Sequence, residues 1–543
     1  MYYVYQEIQS IREIFLVNIS KIEIAILAVF LILVLGVGFY FAQRRQSTTG
    51  AYFLAGKNMG WFAIGFSLLA TDISAEHFIR LSGYGATRGL AIGSIEWISI
   101  FFILMLGWFV APLILRSGVF TVPEFLGNRF NTRVRTMLST ISIIVYVFLR
   151  VSITLYAGGY LLEKVFGLDL LISTVTLVVI TGLYTIVGGM NSVVYTSVLQ
   201  GFFVLIGATA LTVTGLVEVG GLSALQTKLP ASFFGLLNPV SDSALPWTGI
   251  ILGAPILAIW YWWTDQYMVQ RILCARDIEQ ARRGTILTGF LKILPVFIIV
   301  LPGLIAAVIY PGLTGSEAFN ALLRGSFLPA GVRGLLLVGI LAALMSSLSA
   351  VFISTATLFT MDFYKRFKPK ATENNLVLVG RLATTGMVIM GILWIPAGSF
   401  ITAHLLSYQQ NIPAYIGPPI AAVFVLALLW NRINARGAVW ALIIGEVLGI
   451  WRMIVEIRGI TPLYLNMLAS MNYLHFAVFS FMFSVFISIV VSLFPVQQPA
   501  PLQAKISYSG SSIRFSTLVI SRNDLVLSAL LIFIVLGLWG SFL

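Results

Sequence analysis

The chain is short of the residues that covalent cross-linking and aqueous solubility require. Of its 543 residues one is cysteine and three are histidine, and charged residues make up only 10%. The lone thiol, Cys274, excludes an intrachain disulfide and most cysteine-based metal sites. So little charge excludes an ordinary soluble globule of this length. The short alternating strands of a membrane β-barrel are missing too, because the apolar runs are long and continuous. No nucleophile–base–orienter set stands out, so an enzyme is disfavoured and no catalytic residue is assigned. His404 and His475 lie near the ends of apolar runs and are read as structural. No stretch between runs is long enough for a second folded domain; the longest, 495–523, is polar and serine-rich.

What the chain has is hydrophobic length. It is 59% apolar, and runs of about 20 residues, enough to cross a bilayer as a helix, recur throughout. Fourteen spans are predicted: 22–42, 60–82, 90–115, 135–162, 169–187, 193–219, 246–268, 285–310, 333–360, 376–398, 403–429, 436–456, 473–494 and 524–543. The fold class is therefore an all-α polytopic membrane protein of about fourteen transmembrane helices. Basic residues cluster in alternate loops, after spans one, three, seven, nine, eleven and thirteen, which hold 20 of the 33 lysines and arginines. The positive-inside rule makes those loops cytoplasmic and places both termini outside. The net charge of +13 is then a matter of topology, and no nucleic-acid partner is called for. The first span has its basic residues after the apolar run and no small-residue cleavage site, so it is expected to stay as a helix.

Charge inside a membrane span is costly unless it faces a polar cavity, which makes such residues functional candidates. In "LLATDISAEHFIRLSG", Leu68 to Gly83, span two packs Asp72, Glu76, His77 and Arg80 together. Glu76 and Arg80, at i and i+4, are expected to neutralise one another. Span three adds Glu96, span four Arg150 and span eight Lys292, while span seven ends in "AIWYWWTDQYMVQR". Spans two and seven are the least regular and lie five apart, the spacing that two inverted repeats of five helices would produce. In span nine, Ala343, Ser346 and Ser347 share one helical face. Two readings are open for that face. It packs against another helix, or its hydroxyls join carbonyls of an unwound span two in an oxygen shell for a dehydrated Na⁺.

Several blocks resemble the sodium/solute symporter family, nearest its sodium/glucose cotransporter branch. "YFLAGKNMGWFAIGFSLLATDISAEHF" resembles the family's first broken helix. "LAIWYWWTDQYMVQR", "GFLKILPVFIIVLPG" and "SSLSAVFISTATLFTMDFYKR" resemble its sixth to eighth core helices, and "YIGPPIAAVF" with "LLWNRINARGAVWALIIGEVLG" its tenth and eleventh. The resemblance covers about 50–460. It implies a LeuT-like 5+5 inverted-repeat fold with discontinuous helices in a single transporter domain, 1–543. Within that domain 22–58 would be an extra helix and linker, 59–219 and 245–430 the two repeats, and 431–543 accessory helices.

The implied activity is uptake of a monosaccharide, glucose- or galactose-like, or a related polyol, driven by inward Na⁺ movement across the cell membrane. An organic acid (sialic acid or a monocarboxylate) and myo-inositol are the alternatives within the family. A channel or a membrane sensor is disfavoured. By resemblance, Na⁺ meets the carbonyls of Ala70, Ile73 and Ala343 and the hydroxyls of Ser346 and Ser347. Sugar hydroxyls meet His77, Glu96, Lys292, Gln410 and Ser99, with Asp72 beside them where relatives commonly carry Asn. Tyr261 stacks on the sugar and gates the inner side beside Trp262, and Leu81, Ile95 and Leu406 form an apolar outer lid. Ala258 and Ser197 stand where the sugar branch often has polar residues, Asp in the case of Ser197. No organic or redox cofactor is implied.

Overall fold

The computed structural model describes residues 20–43, 47–167, 169–313, 315–408, 411–458, 466–494 and 521–542, apart from the side chains of 164–166, 316, 396–408 and 466. Among these residues the chain is helical throughout, with two isolated bridges, Met59 with Ala275 and Asn238 with Pro246, in place of any sheet. Eleven of the described helices are long and apolar enough to cross a membrane. The fourteen expected spans do not appear as fourteen separate helices, for two physical reasons.

First, spans five and six run on as Leu170–Val219, bent at Gly189, where φ is 56° and ψ −149°. That backbone conformation is open only to glycine. A Cβ there would also sit 2.6 Å from the Tyr52 carbonyl. Secondly, spans two and seven are each split. Span two stops as Trp61–Asp72, passes through extended Ile73 and Ser74, and restarts as Ala75–Arg88. Thr71, Asp72 and Ser74 have short polar side chains that compete for backbone hydrogen bonds, and Ile73 is β-branched, so the helix is weakest there. Span seven runs Trp247–Ile259, widens into a π-helical turn at Trp260–Thr264, and breaks at extended Asp265. The Asp265 carboxylate accepts the Tyr267 N–H at 3.1 Å and so starts Gln266–Leu273 as a capping residue does.

Span nine, Ala330–Leu358 continuing as the π-helical turn Phe359–Tyr364, is the axis of the molecule and is enclosed along its whole membrane length. It packs on Leu170–Val219, on Lys21–Ala42 and on Trp61–Asp72. The first and last described helices, Lys21–Ala42 and Arg522–Ser541, lie at the periphery and expose apolar side chains such as Ile32 and Phe533.

Several of the basic residues are also structural. Arg135 pairs with buried Asp362 at 2.6 Å, while Ser139 and Thr121 donate to the same carboxylate. Buried Arg129 donates to the carbonyls of Ala427, Trp430 and Asn431, closing the C-terminal end of Ile412–Leu429.

The second half of span two, Ala75–Arg88, lies directly on span eight, with Ser82 donating to the Ile299 carbonyl at 2.6 Å. A Cβ on Gly303 would fall 2.0 Å from the Ser82 carbonyl oxygen. Gly303→Ala should therefore cost about 1–3 kcal/mol by overpacking. Thermal unfolding in detergent checks this: an unchanged midpoint contradicts so close a contact.

Candidate functional site

The two breaks, the middle of span four and the Lys292 turn of span eight surround one cavity of about 220 Å³. That is small beside the roughly 300–1,000 Å³ of drug-sized sites, and suits a compact ligand. Of the residues expected at the substrate site, Asp72, His77, Glu96, Ser99, Tyr261, Trp262 and Lys292 all line it, as does the expected gate residue Ile95. Ala258 lines it too. Gln410 lies outside the described residues, and of Leu406 only the helical backbone is described.

The charged floor is a triad. Lys292 caps Ile278–Leu291 just before Pro295, which has no N–H to continue the helix. One carbonyl of that turn, on Ile293, accepts the Trp97 indole N–H at 3.3 Å. The Lys292 ammonium pairs with Asp72 and, at 2.5 Å, with Glu96, and it lies 5.9 Å from the centre of the Trp262 ring. All three charged side chains are buried. Asp72 thus has a defined role in the structure as a counter-ion of Lys292, which the sequence reading, concerned with its difference from Asn, had not assigned.

His77 stands on the first turn of Ala75–Arg88, the second half of span two. Its Nδ1 accepts from the Ser74 N–H at 3.2 Å and lies 2.8 Å from the Ser74 hydroxyl. With Nδ1 the acceptor, a neutral ring carries its proton on Nε2, free to donate to a ligand. The Ser99 hydroxyl donates back to the Glu96 carbonyl at 2.6 Å, which leaves its lone pairs for a ligand. Tyr261 meets Trp262 edge-to-face, ring centres 5.3 Å apart, and presents an aromatic wall.

One expectation needs correction, and one expected lid residue lies apart from the cavity lining. Glu76 and Arg80 make no ion pair within 4 Å among the described residues; both line the cavity separately. Leu81 does not line it, but is buried in the packed interior. Leu81 is one turn on from His77, so its packing against neighbouring helices, and not its helical phase, sets it apart from the lining.

A second charged group was expected from the sequence, but without its partner. Arg150, at the end of the π-helical turn Val145–Arg150 in span four, pairs with Asp265 at 2.5 Å. Its guanidinium lies 4.2 Å from the ring centre of Tyr267 and 5.3 Å from that of Tyr261. An arginine and an aspartate, each isolated in an apolar span, were a signal that they belong together.

Beside the cavity, the break in span two meets span nine. Ser346 donates to the Ala70 carbonyl at 2.7 Å and lies 3.0 Å from the Ala343 carbonyl. The Ser347 hydroxyl is buried, borders the cavity and meets no hydrogen-bond partner among the described residues. Ala70, Ile73, Ala343, Ser346 and Ser347 are all buried. The arrangement supplies neutral oxygens without a carboxylate, the donor set that suits a monovalent hard cation. His475 is 2.8 Å from the Thr248 hydroxyl, away from the cavity lining.

Comparison with known proteins agrees with this architecture. Residues 52–445 match the model of the sodium:solute symporter family. The chain is 36% identical over 521 residues to sodium/glucose cotransporter 1 of Oryctolagus cuniculus, covering 87% of this chain and 78% of that one. It is 37% identical over 531 residues to sodium/glucose cotransporter 4 of Mus musculus, covering 90% and 77%. In three dimensions it is similar to a Na⁺-coupled sialic acid symporter in its substrate-bound outward-open state, with a TM-score of 0.75, 23% identity, and coverage of 88% of this chain and 99% of that one. It also resembles Mhp1, a nucleobase-cation-symport-1 family transporter, at a TM-score of 0.55 and 15% identity over 86% and 99% of the two chains. These two likenesses establish the inverted-repeat transporter fold. By the match over most of its length, the chain belongs to the sodium:solute symporter family.

Proposed function

We propose that the protein is a secondary active symporter that couples inward Na⁺ movement to uptake of a monosaccharide, glucose- or galactose-like, or a related polyol, by alternating access. The observation that carries this is the cavity at the level of both helix breaks, where His77, Glu96, Ser99 and Lys292 converge with an aromatic wall from Tyr261 and Trp262. A neutral polyol needs several donors and acceptors and an apolar face for its C–H side. Each buried polar group left unpaired costs about 1–3 kcal/mol, which lets such a site reject analogues lacking a hydroxyl.

Charge balance favours a neutral substrate over an organic acid. The carboxylates of Asp72, Glu76, Glu96 and Asp265 face the cations of Arg80, Arg150 and Lys292. A single Na⁺ beside them completes neutrality, whereas an anion would add an uncompensated charge. Na⁺ itself, as co-substrate, would be held by the carbonyls of Ala70, Ile73 and Ala343 and the hydroxyls of Ser346 and Ser347. Gln410 is retained as a sugar contact, and Leu81, Ile95 and Leu406 as the outer lid. The repeats 59–219 and 245–430, the cell-membrane location and the extracytoplasmic termini belong to the same reading.

The experiment is counterflow in proteoliposomes. Labelled glucose or galactose should accumulate only with an inward Na⁺ gradient and exchange with unlabelled sugar. Sodium-independent flux, or flux without exchange, would contradict a symporter.

Asp72→Asn should keep transport and shift selectivity between epimeric sugars. Lys292 retains Glu96 as its partner, while an acceptor-only group becomes one that both donates and accepts. Loss of sodium-driven accumulation in this variant would instead put Asp72 on the ion path.

We further expect one Na⁺ per sugar. Ser197 is buried and offers a neutral hydroxyl where an acid would anchor a second ion. One charge across 100 mV is worth about 2.3 kcal/mol, and a tenfold Na⁺ gradient about 1.4 kcal/mol. One ion thus concentrates a neutral sugar by a factor on the order of 500, and two by its square. The voltage that just cancels net sugar flux measures the ratio, and a value of two would overturn the expectation.

A further inference from the structure

Arg150 pairs with one carboxylate, Asp265, and shares a cavity with another, Glu76, and the two acids belong to different halves of the chain. Asp265 begins the half-helix Gln266–Leu273, which leads to the basic loop at 274–283, the cytoplasmic side by the charge rule. Glu76 is in the first turn of Ala75–Arg88, which runs toward the other side. Arg150 itself belongs to neither element; it sits in span four, whose continuation Val151–Phe166 packs on Ala75–Arg88. All but Asp265 line the cavity.

In the structure Arg150 holds Asp265. Tyr146, one turn before Arg150, donates its hydroxyl to the other Asp265 oxygen. The Tyr267 hydroxyl donates to the Thr71 carbonyl at 2.8 Å, so the cytoplasmic half of span seven is tied to the end of Trp61–Asp72. Glu76 has no ion-pair partner among the described residues, and it lines the same cavity as Arg150.

We propose that Arg150 is a two-position latch, paired with Asp265 while the cytoplasmic half of span seven is seated, and with Glu76 once that half swings away. The proposal rests on the alternating-access reading above. Rocking spans two and seven about the level of their breaks, against a stationary span four, parts one carboxylate from Arg150 as it brings the other nearer. Without a second acceptor, each opening would leave a buried guanidinium unpaired, a costly state. Glu76 removes that penalty and keeps the two end states close enough in energy for Na⁺ and sugar to shift their populations.

The test uses the full-length protein in nanodiscs. Spin labels go on Arg276→Cys, in the loop after span seven, and Phe367→Cys, exposed after span nine. Burial pushes the native Cys274 thiol up to about 12, so labelling spares it. Electron–electron double resonance then reads the seated and open populations with and without Na⁺ and glucose. Glu76→Gln should raise the ratio of seated to open at least threefold, and Asp265→Asn should lower it by a similar factor. Asn is as good a helix cap as Asp, so that half-helix should still form. In an Arg150→Gln background both responses should vanish, which a purely local role for either acid would not produce. Shifts that persist without Arg150, or no shift in Glu76→Gln, overturn the latch while leaving the symporter reading intact. A wild-type protein whose distances ignore both Na⁺ and sugar overturns that reading and the latch with it.

Discussion

Lys292→Met should lower sodium-driven sugar uptake at least a hundredfold, the largest effect expected of any single change in the cavity. The lysine is the shared partner of Asp72 and Glu96, and both acids are buried. Removing it leaves two carboxylates facing each other in a low-dielectric pocket. Breaking a buried pair in this way costs about 3–5 kcal/mol, while a hundredfold loss corresponds to about 2.7. The prediction has a second arm that separates charge balance from direct sugar contact. Lys292→Met combined with Asp72→Asn should recover part of the lost uptake, because one fewer carboxylate is left unpaired. Initial rates normalised to the protein in the membrane decide it. If the double variant is no better than the single one, Lys292 acts through the sugar alone and the triad is incidental.

The double variant Ser346→Ala, Ser347→Ala should make uptake nearly insensitive to Na⁺ over the range that saturates the wild type. A hydrogen-bond-strength contact to a charged group is worth about 1.5–3 kcal/mol, or roughly 10–100-fold in affinity for each oxygen lost. Ser346 donates its proton to the Ala70 carbonyl, and Ser347 meets no hydrogen-bond partner among the described residues. Both oxygens therefore have lone pairs to turn toward a cation. Alanine suits the helix interior, so thermal unfolding without Na⁺ should change little, and the added stability that Na⁺ gives the wild type should disappear. Wild-type sodium dependence in this variant would place the cation elsewhere.

Much of the site was legible before any coordinates. Asp72, His77, Glu96 and Lys292 stood out because charge in an apolar span demands a reason, and the structure gathers all four around one cavity. The breaks in spans two and seven were legible for a related reason. "TDIS" offers the backbone poor helical prospects, and "WYWWTDQ" crowds four aromatics before a capping acid. The misreading came from treating one helix at a time. Glu76 and Arg80 have the spacing of a pair, yet each turns to the cavity instead.

The sequence by itself determined the class of the molecule and the rhythm of its elements. Run length, scarcity of charge and the alternation of basic loops require a many-helix membrane protein. Helical spacing then decides which residues of one span share a face. Only the tertiary structure decided the partners. Lys292 joins Asp72 from 220 positions away, and Arg150 joins Asp265 from 115. Gly189 turns two expected spans into one bent helix. The physical reason is that periodicity orients a side chain about its own helix axis but contains nothing about where that axis crosses another. That crossing is set by close packing along whole helices, as where Gly303 lets span eight rest on the Ser82 carbonyl. Charges inside the membrane then pair with whatever acid or base the packing brings within reach, because leaving them alone in a low-dielectric interior costs more.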